Sequence, residues 1–267
     1  MLSYQHSYHA GCLADVHKHA LLSVLLTALS QKERPLSYIE THSGRGLYDL
    51  ESLESQKTGE AEQGIKALQK AGVFPKDHPY MKTLLASQNR RGKNIYLGSP
   101  AFAKEILRPQ DDLYLMELHP QEIASLYRNF RDDNVHIHFR DGYEGALSIA
   151  PPKARRGLVL IDPSYEVKTE YQYCVAFIEK LHQKWPQAVI ALWYPMLESG
   201  HYKEMIRSLD LMPFPKRDHR AFQYAHPKDV YGLFGTGLYL INTPWGVDAQ
   251  LDEVEALLRT FVEGKGQ

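Results

Sequence analysis

The sequence predicts an α/β layered fold in which a mostly parallel sheet ends in an antiparallel hairpin. Three observations carry this expectation. Five short apolar runs, LSYIETHSG (36–44), DLYLMELHP (112–120), VHIHFRDG (135–142), GLVLIDPSY (157–165) and AVIALWYP (188–195), are separated by helical segments. Continuous apolar strands alternating with helices form parallel sheets covered on both faces. Near the C-terminus two strand-like runs, around Arg220–Tyr224 and Leu233–Ile241, are joined by a short loop, the pattern of a hairpin at a sheet edge. Between Tyr48 and about Tyr96 the rhythm breaks into a polar stretch of helical period without a convincing strand, which marks an inserted helical subdomain. No segment recurs and no low-complexity tract is present.

Taken in order, residues 1–12 contain Tyr4, His6, Tyr8 and His9 but no apolar periodicity, and read as an exposed arm. Leu13, Val16, Ala20, Leu21, Val24, Leu25 and Ala28 then recur at helical spacing, with Asp15 in the first turn. This is the pattern of an amphipathic helix in a soluble domain. Its run ALLSVLLTAL is too short to span a bilayer and lies after Cys12, which argues against a lipoprotein signal. His6, His9, Asp15, His17 and His19 are crowded enough to suggest a metal site, but on a helix His17 and His19 point about 200° apart and cannot share an ion. No metal is expected.

The 267 residues are 43% hydrophobic and 24% charged, a globular composition with enough chain to bury its own core. Two cysteines, Cys12 and Cys174, set no disulfide framework and no Cys-x-x-Cys site, so a reducing cytoplasm is the expected compartment. The net charge of -1 excludes binding of polyanions by bulk charge; any nucleic-acid contact must be local. Candidate clusters are Arg90-Arg91-Lys93, Lys153-Arg155-Arg156 and Lys216-Arg217-His219-Arg220.

In open parallel sheets the ligand sits beyond the carboxyl ends of the strands. Those ends carry Glu40, His42, Gly44 and Gly46 after the first strand, Glu117 after the second, Asp141-Gly142 after the third, and Asp162-Pro163-Ser164-Tyr165 after the fourth. Glu117 is placed to accept from the two hydroxyls of a ribose, and Asp141 to face an adenine amino group. Ser99, ahead of Pro100, is expected to cap the helix AFAKEILR, whose start suits a ligand carboxylate. Neither Gly-x-Gly-x-x-Gly nor a P-loop occurs, which leaves a ribose-and-adenine ligand without pyrophosphate. S-adenosylmethionine fits that description.

Asp162-Pro163-Ser164-Tyr165 resembles the Asp/Asn-Pro-Pro-Tyr/Phe signature of methyltransferases acting on the amino group of adenine or cytosine. The ordered set LSYQHSYHAGCLADVHKHALL, YIETHSGRGLYDL, YLGSPAFAKEIL, LYLMELHP, RDGYEGAL, RRGLVLIDPSYEVKTEYQ and ALWYP extends the likeness over almost the whole chain, which resembles the RlmJ (YhiR) family of bacterial 23S ribosomal RNA adenine-N6-methyltransferases. The resemblance implies a class I, Rossmann-like methyltransferase fold, with the catalytic domain in residues 1–47 and 97–267 and the helical subdomain in 48–96. It implies that Lys18, His19, His42, Gly44, Ser99, Glu117, Asp141, Gly142 and Asp162 surround the methyl donor, that Asp162, Pro163 and Tyr165 are catalytic, and that Tyr4, His6 and Tyr165 meet the substrate. Tyr165 is expected to stack on the flipped base. The implied partner is 23S RNA, protein-free or early in assembly, engaged by a monomer without a membrane or an obligate protein partner.

Ser164 departs from the family's second proline. Proline fixes φ near −65°, so serine relaxes the restraint on the preceding carbonyl. With Asp162, Pro163 and Tyr165 kept, activity is expected to survive. Two other functions stay open at this level: methylation of DNA adenine, and a role in using external DNA as a nutrient, through DNA binding or processing without methylation. The later Asn242-Thr243-Pro244-Trp245 echoes the signature but follows the hairpin and reads as a turn.

Overall fold

The computed structural model describes residues 5–226 and 232–265. A short 3-10 turn, His6–Tyr8, precedes α1 (Leu13–Ser30), β1 (Ser37–Glu40), β2 (Leu47–Asp49), α2 (Leu53–Thr58), a π-type turn (Glu62–Lys66), α3 (Ala67–Ala71), α4 (Pro79–Arg91) and β3 (Ile95–Leu97). Then follow α5 (Ser99–Ile106), β4 (Asp112–Glu117), α6 (Pro120–Asn129), β5 (Val135–Phe139), α7 (Gly142–Ile149), β6 (Gly157–Ile161), α8 (Glu170–Lys184), β7 (Val189–Leu197), α9 (His201–Asp210), β8 (Arg217–Gln223), β9 (Leu233–Ile241) and α10 (Asp248–Lys265).

The main sheet has the order β5-β4-β1-β6-β7-β9-β8. The first five strands are parallel, and β9 runs antiparallel to both β7 and β8, so the expected hairpin closes one edge. Period-2 alternation splits each central strand between two cores. Tyr38, Leu158 and Leu160 face a layer built on α1, α4, α5 and α10, whereas Ile39, Val159 and Ile161 face α7, α8 and α9. This is the Rossmann-like α/β arrangement.

Three expectations need correction. The helix α1 is not amphipathic in its surroundings: Asp15, His17, Lys18, His19 and Ser23 are as buried as its leucines, because the insertion and α10 cover the face that the sequence leaves polar. The N-terminal segment is not an exposed arm over residues 5–12, since Ser7 and Ala10 are buried and Gly11 donates from its amide to Asp15. The insertion between β1 and α5 is bracketed by the strands β2 and β3, which pair antiparallel. Its Ile65, Leu68, Tyr80 and Leu84 belong to the same core as α1.

Candidate active site

Chain order reverses between β1 and β6, so their carboxyl ends open the crevice where ligands bind in folds of this topology. A cavity of about 1090 Å³ lies there. Residues from the N-terminal turn, from α1, from the segments after β1, β4, β5 and β6, and from the second half of β7 line it.

On the β4 side the polar groups are held by backbone. The Glu117 carboxylate accepts from the amides of Gly44 (2.7 Å), Leu118 (2.8 Å) and His119 (2.7 Å). Burial pushes its pKa up, and these three donors counter that rise. Gly44 has φ +59, and a Cβ there would meet the Tyr48 hydroxyl at 2.5 Å, so the tight approach to Glu117 calls for glycine. Asp141 caps α7 by accepting from the Glu144 amide at 2.9 Å. Gly142 lies so close to β1 that a Cβ would sit 1.8 Å from the Thr41 carbonyl oxygen. His42 packs edge-on against Tyr143 at 5.1 Å, with Nδ1 2.8 Å from Thr41 Oγ1. Burial lowers its pKa to about 4, so the ring is neutral near pH 7. Ser99 does not cap α5, whose cap is Gly98; as the first helical residue, it donates its hydroxyl to Glu40. Glu40 also accepts from the Tyr38 hydroxyl at 2.9 Å, and burial pushes its pKa up to about 8.

On the α1 side, side chains hold one another. The Lys18 ammonium, 4% exposed, lies 2.6 Å from Asp162 Oδ2 and 3.1 Å from Asp15 Oδ1. Burial works against its charge, but the two carboxylates outweigh that and raise its pKa. Asp15 is buried too, yet His6 at 2.8 Å and Lys18 keep its pKa well below the usual carboxylate range. The result is a continuous chain His6–Asp15–Lys18–Asp162 from the N-terminal turn to the end of β6. Lys18 also sits 5.4 Å from the Trp193 ring centroid. His19 shares a hydrogen bond with the Tyr96 hydroxyl through Nδ1 (2.9 Å), while Nε2 has no partner among the described residues.

The sequence model of the family described as "Ribosomal RNA large subunit methyltransferase D, RlmJ" matches residues 33–267. The chain belongs to this family. It is 39% identical to ribosomal RNA large subunit methyltransferase J of Haemophilus influenzae, covering 100% of this chain and 96% of that protein. The Escherichia coli protein of the same name is 36% identical, with 95% and 91% covered. A crystal structure of a Legionella pneumophila protein superposes with a TM-score of 0.86 at 33% identity, covering 95% and 94% of the two chains.

Within this RlmJ-family site the structure brings together Lys18, His19, His42, Gly44, Ser99, Glu117, Asp141, Gly142, Asp162, Pro163 and His6 around one cavity. Tyr4 lies outside the described residues. Tyr165 departs from expectation: it has φ 54, is 7% exposed, donates to the Trp193 carbonyl oxygen at 2.7 Å and packs on Tyr171. That left-handed turn sends its ring into the core, so it offers no stacking face to a base. The half-buried Trp193 lines the cavity instead. Ser164 is exposed in the wall.

His17 and His19 turn to different sides of α1, as the helical geometry predicts. His9 pairs with Glu60 at 2.8 Å, and His17 turns toward Phe222 on the far side of α1. Among the described residues no three His, Cys, Asp or Glu side chains form a metal-holding group, and no helix is long and apolar enough to cross a membrane. The basic clusters do not face the cavity. Arg90 and Arg91 pair with Glu105, Arg156 donates to the carbonyls of Leu29 and Arg34, and Arg220 pairs with Asp218 and Asp252. The last two clusters lie at the amino ends of the parallel strands, opposite the site. The Asn242 turn is at that opposite end as well.

Sequence reasoning left Asp15 and Trp193 out of the site and gave Glu40 no role. A signal existed for Asp15, which stands three residues before Lys18 on one helix face. For Trp193 there was none beyond its place near the end of a strand.

Proposed function

We propose that the protein transfers a methyl group from S-adenosylmethionine to the exocyclic N6 of an adenine in 23S ribosomal RNA. The observation that carries this reading is Asp162-Pro163 at the end of β6, with the carboxylate fixed by a buried lysine at the floor of the cavity. Family membership supports it, because the relatives are ribosomal RNA large subunit methyltransferases.

The residues present fit the donor. Glu117 has both oxygens fixed by amides, and Oε2, which accepts from a single amide, keeps a lone pair for a ribose hydroxyl. Asp141 stands beside it for an adenine amino group, and the bare Cα of Gly142 lets the chain approach closely. Lys18, His19, His42, Gly44 and Ser99 complete the enclosure. When bound, the donor supplies an electrophilic methyl on a sulfonium.

Everything else falls to the chain. The adenine amino group is a weak nucleophile because its lone pair is delocalised into the ring. Hydrogen bonds from N6 to the Asp162 carboxylate and the Pro163 carbonyl orient that lone pair, and the carboxylate receives the proton as positive charge develops. Lys18 fixes the carboxylate, and Trp193 supplies the flat surface for the extruded base. Ser164 leaves the Pro163 carbonyl a freer hinge than proline would.

The test is to incubate the protein with labelled donor and either a naked 23S RNA transcript or duplex DNA, then digest and identify the methylated nucleoside. Label in N6-methyladenosine from the RNA is expected. Label only in DNA, or on another base, contradicts the reading.

A further inference from the structure

A second cavity, of about 220 Å³, opens beside the active site and shares Tyr48 with it. The wall between them runs through consecutive residues: His6 faces the active site, and Ser7 faces the smaller cavity. Ser7 is 4% exposed, yet its hydroxyl has no hydrogen-bond partner among the described residues. A buried hydroxyl left without a partner costs stability, so it marks a place where a ligand supplies what the fold does not.

The other polar groups in this wall are mostly donors. Arg128 is exposed on α6, with one hydrogen bond to Ser125 Oγ at 2.9 Å and no ion pair among the described residues. Ser52 accepts from the Ser55 amide, which leaves its hydroxyl proton free. Arg45 is already neutralised by a two-pronged contact with Glu122 at 2.9 and 2.6 Å. Asp49 is the acidic member of the wall, and its Oδ1 is engaged by the Glu51 amide. One guanidinium without a carboxylate partner, together with two hydroxyl donors, suits a singly charged, acceptor-only group.

We propose that this cavity binds a backbone phosphate of the RNA strand next to the nucleotide held in the active site. The inference rests on the RNA reading above. A phosphodiester carries one negative charge and two free oxygens, and it follows the base into the protein at a fixed short tether. Arg128 supplies the cation, Ser7 and Ser52 the hydroxyl donors, and the Ser7–His6 step sets the phosphate beside the base pocket. The N-terminal turn thereby senses both the extruded base and its backbone.

The experiment measures binding of a fluorescent 23S RNA transcript over a range of salt concentrations to the wild type, Arg128→Ala, Arg128→Gln and Ser7→Ala, with calorimetry of S-adenosylmethionine as the check on folding. Both Arg128 variants should weaken RNA binding about tenfold at low salt. They should also flatten the slope of log affinity against log salt by about 0.7 to 0.9, the loss of one phosphate contact. Ser7→Ala should weaken binding about threefold without changing the slope. Unaltered RNA affinity and slope in the Arg128 variants, with donor binding intact, overturn the proposal. Competition by inorganic phosphate that vanishes in Arg128→Ala while the RNA slope stays unchanged assigns the cavity to a free anion and also overturns it. Failure of the wild type to bind RNA at all overturns the functional reading beneath it.

Discussion

On the β4 side of the pocket Glu117 is held by three backbone amides and Asp141 by a fourth, whereas on the α1 side His6, Asp15, Lys18 and Asp162 hold one another through side chains that are mostly buried. Backbone donors are fixed by the path of the chain and keep their strength whatever the protonation of their neighbours. A buried ionic chain depends on every member, because removing one leaves the next without compensation in a poorly solvating place. The first arrangement suits a ligand that must be held the same way each time. The second suits a reacting centre that must accept a proton without losing its geometry.

The steepest consequence falls on the ionic side. Replacing Lys18→Met strips the cation shared by Asp15 and Asp162, and unfolding in urea should show a loss of about 3–5 kcal/mol. An unchanged midpoint and slope would mean that the chain of charges does not act as a unit. On the backbone side, Glu117→Ala removes the acceptor proposed for the ribose and should weaken donor binding by about 10- to 100-fold in calorimetry, with turnover at saturating donor much less affected. If turnover falls as far as affinity, the two sides do not divide binding from chemistry.

Between the two lies Glu40, whose effect shows only against pH. The folded carboxyl keeps its proton up to about pH 8, whereas the unfolded chain releases it near pH 4.3. Between those values the folded state binds more protons, so the stability due to neutral Glu40 is complete below about pH 4.3 and is lost as pH rises toward 8. The wild type should therefore lose stability relative to Glu40→Gln from pH 5 to 8, by at most about 1.4 kcal/mol per pH unit. A pH-independent difference between the two would place the titration elsewhere.

The same contrast separates what the sequence made legible from what it did not. The strand runs, the hairpin and the polar residues closing β1, β4, β5 and β6 follow from periodicity and from the rule that ligands sit at strand ends, and Glu117, Asp141, Gly142 and Asp162 line one cavity. Contacts between distant segments did not follow. The polar face of α1 looked solvent-directed because its partners, Asp162 and Tyr96, are 144 and 77 residues away from Lys18 and His19. Tyr165 carries the right letter of the signature, but its left-handed backbone turns the ring inward. Runs of adjacent basic residues drew attention as an RNA surface, yet two of the three cap carbonyls or pair with acids at the far end of the sheet. Arg45 and Arg128, beside the site, are isolated in sequence and meet only through the packing of α6 against the β1 loop.

The central claim, that Asp162 orients N6 of an adenine and takes its proton, is tested most directly by the nucleoside analysis of a 23S RNA transcript treated with the wild type and with Asp162→Asn. Asparagine keeps the shape but presents an amide in place of one carboxylate oxygen, so the rate of N6-methyladenosine formation should fall by about 10²- to 10³-fold. S-adenosylmethionine should still bind to the variant. Wild-type rates from Asp162→Asn, or a methyl group on any atom other than N6, would contradict the account.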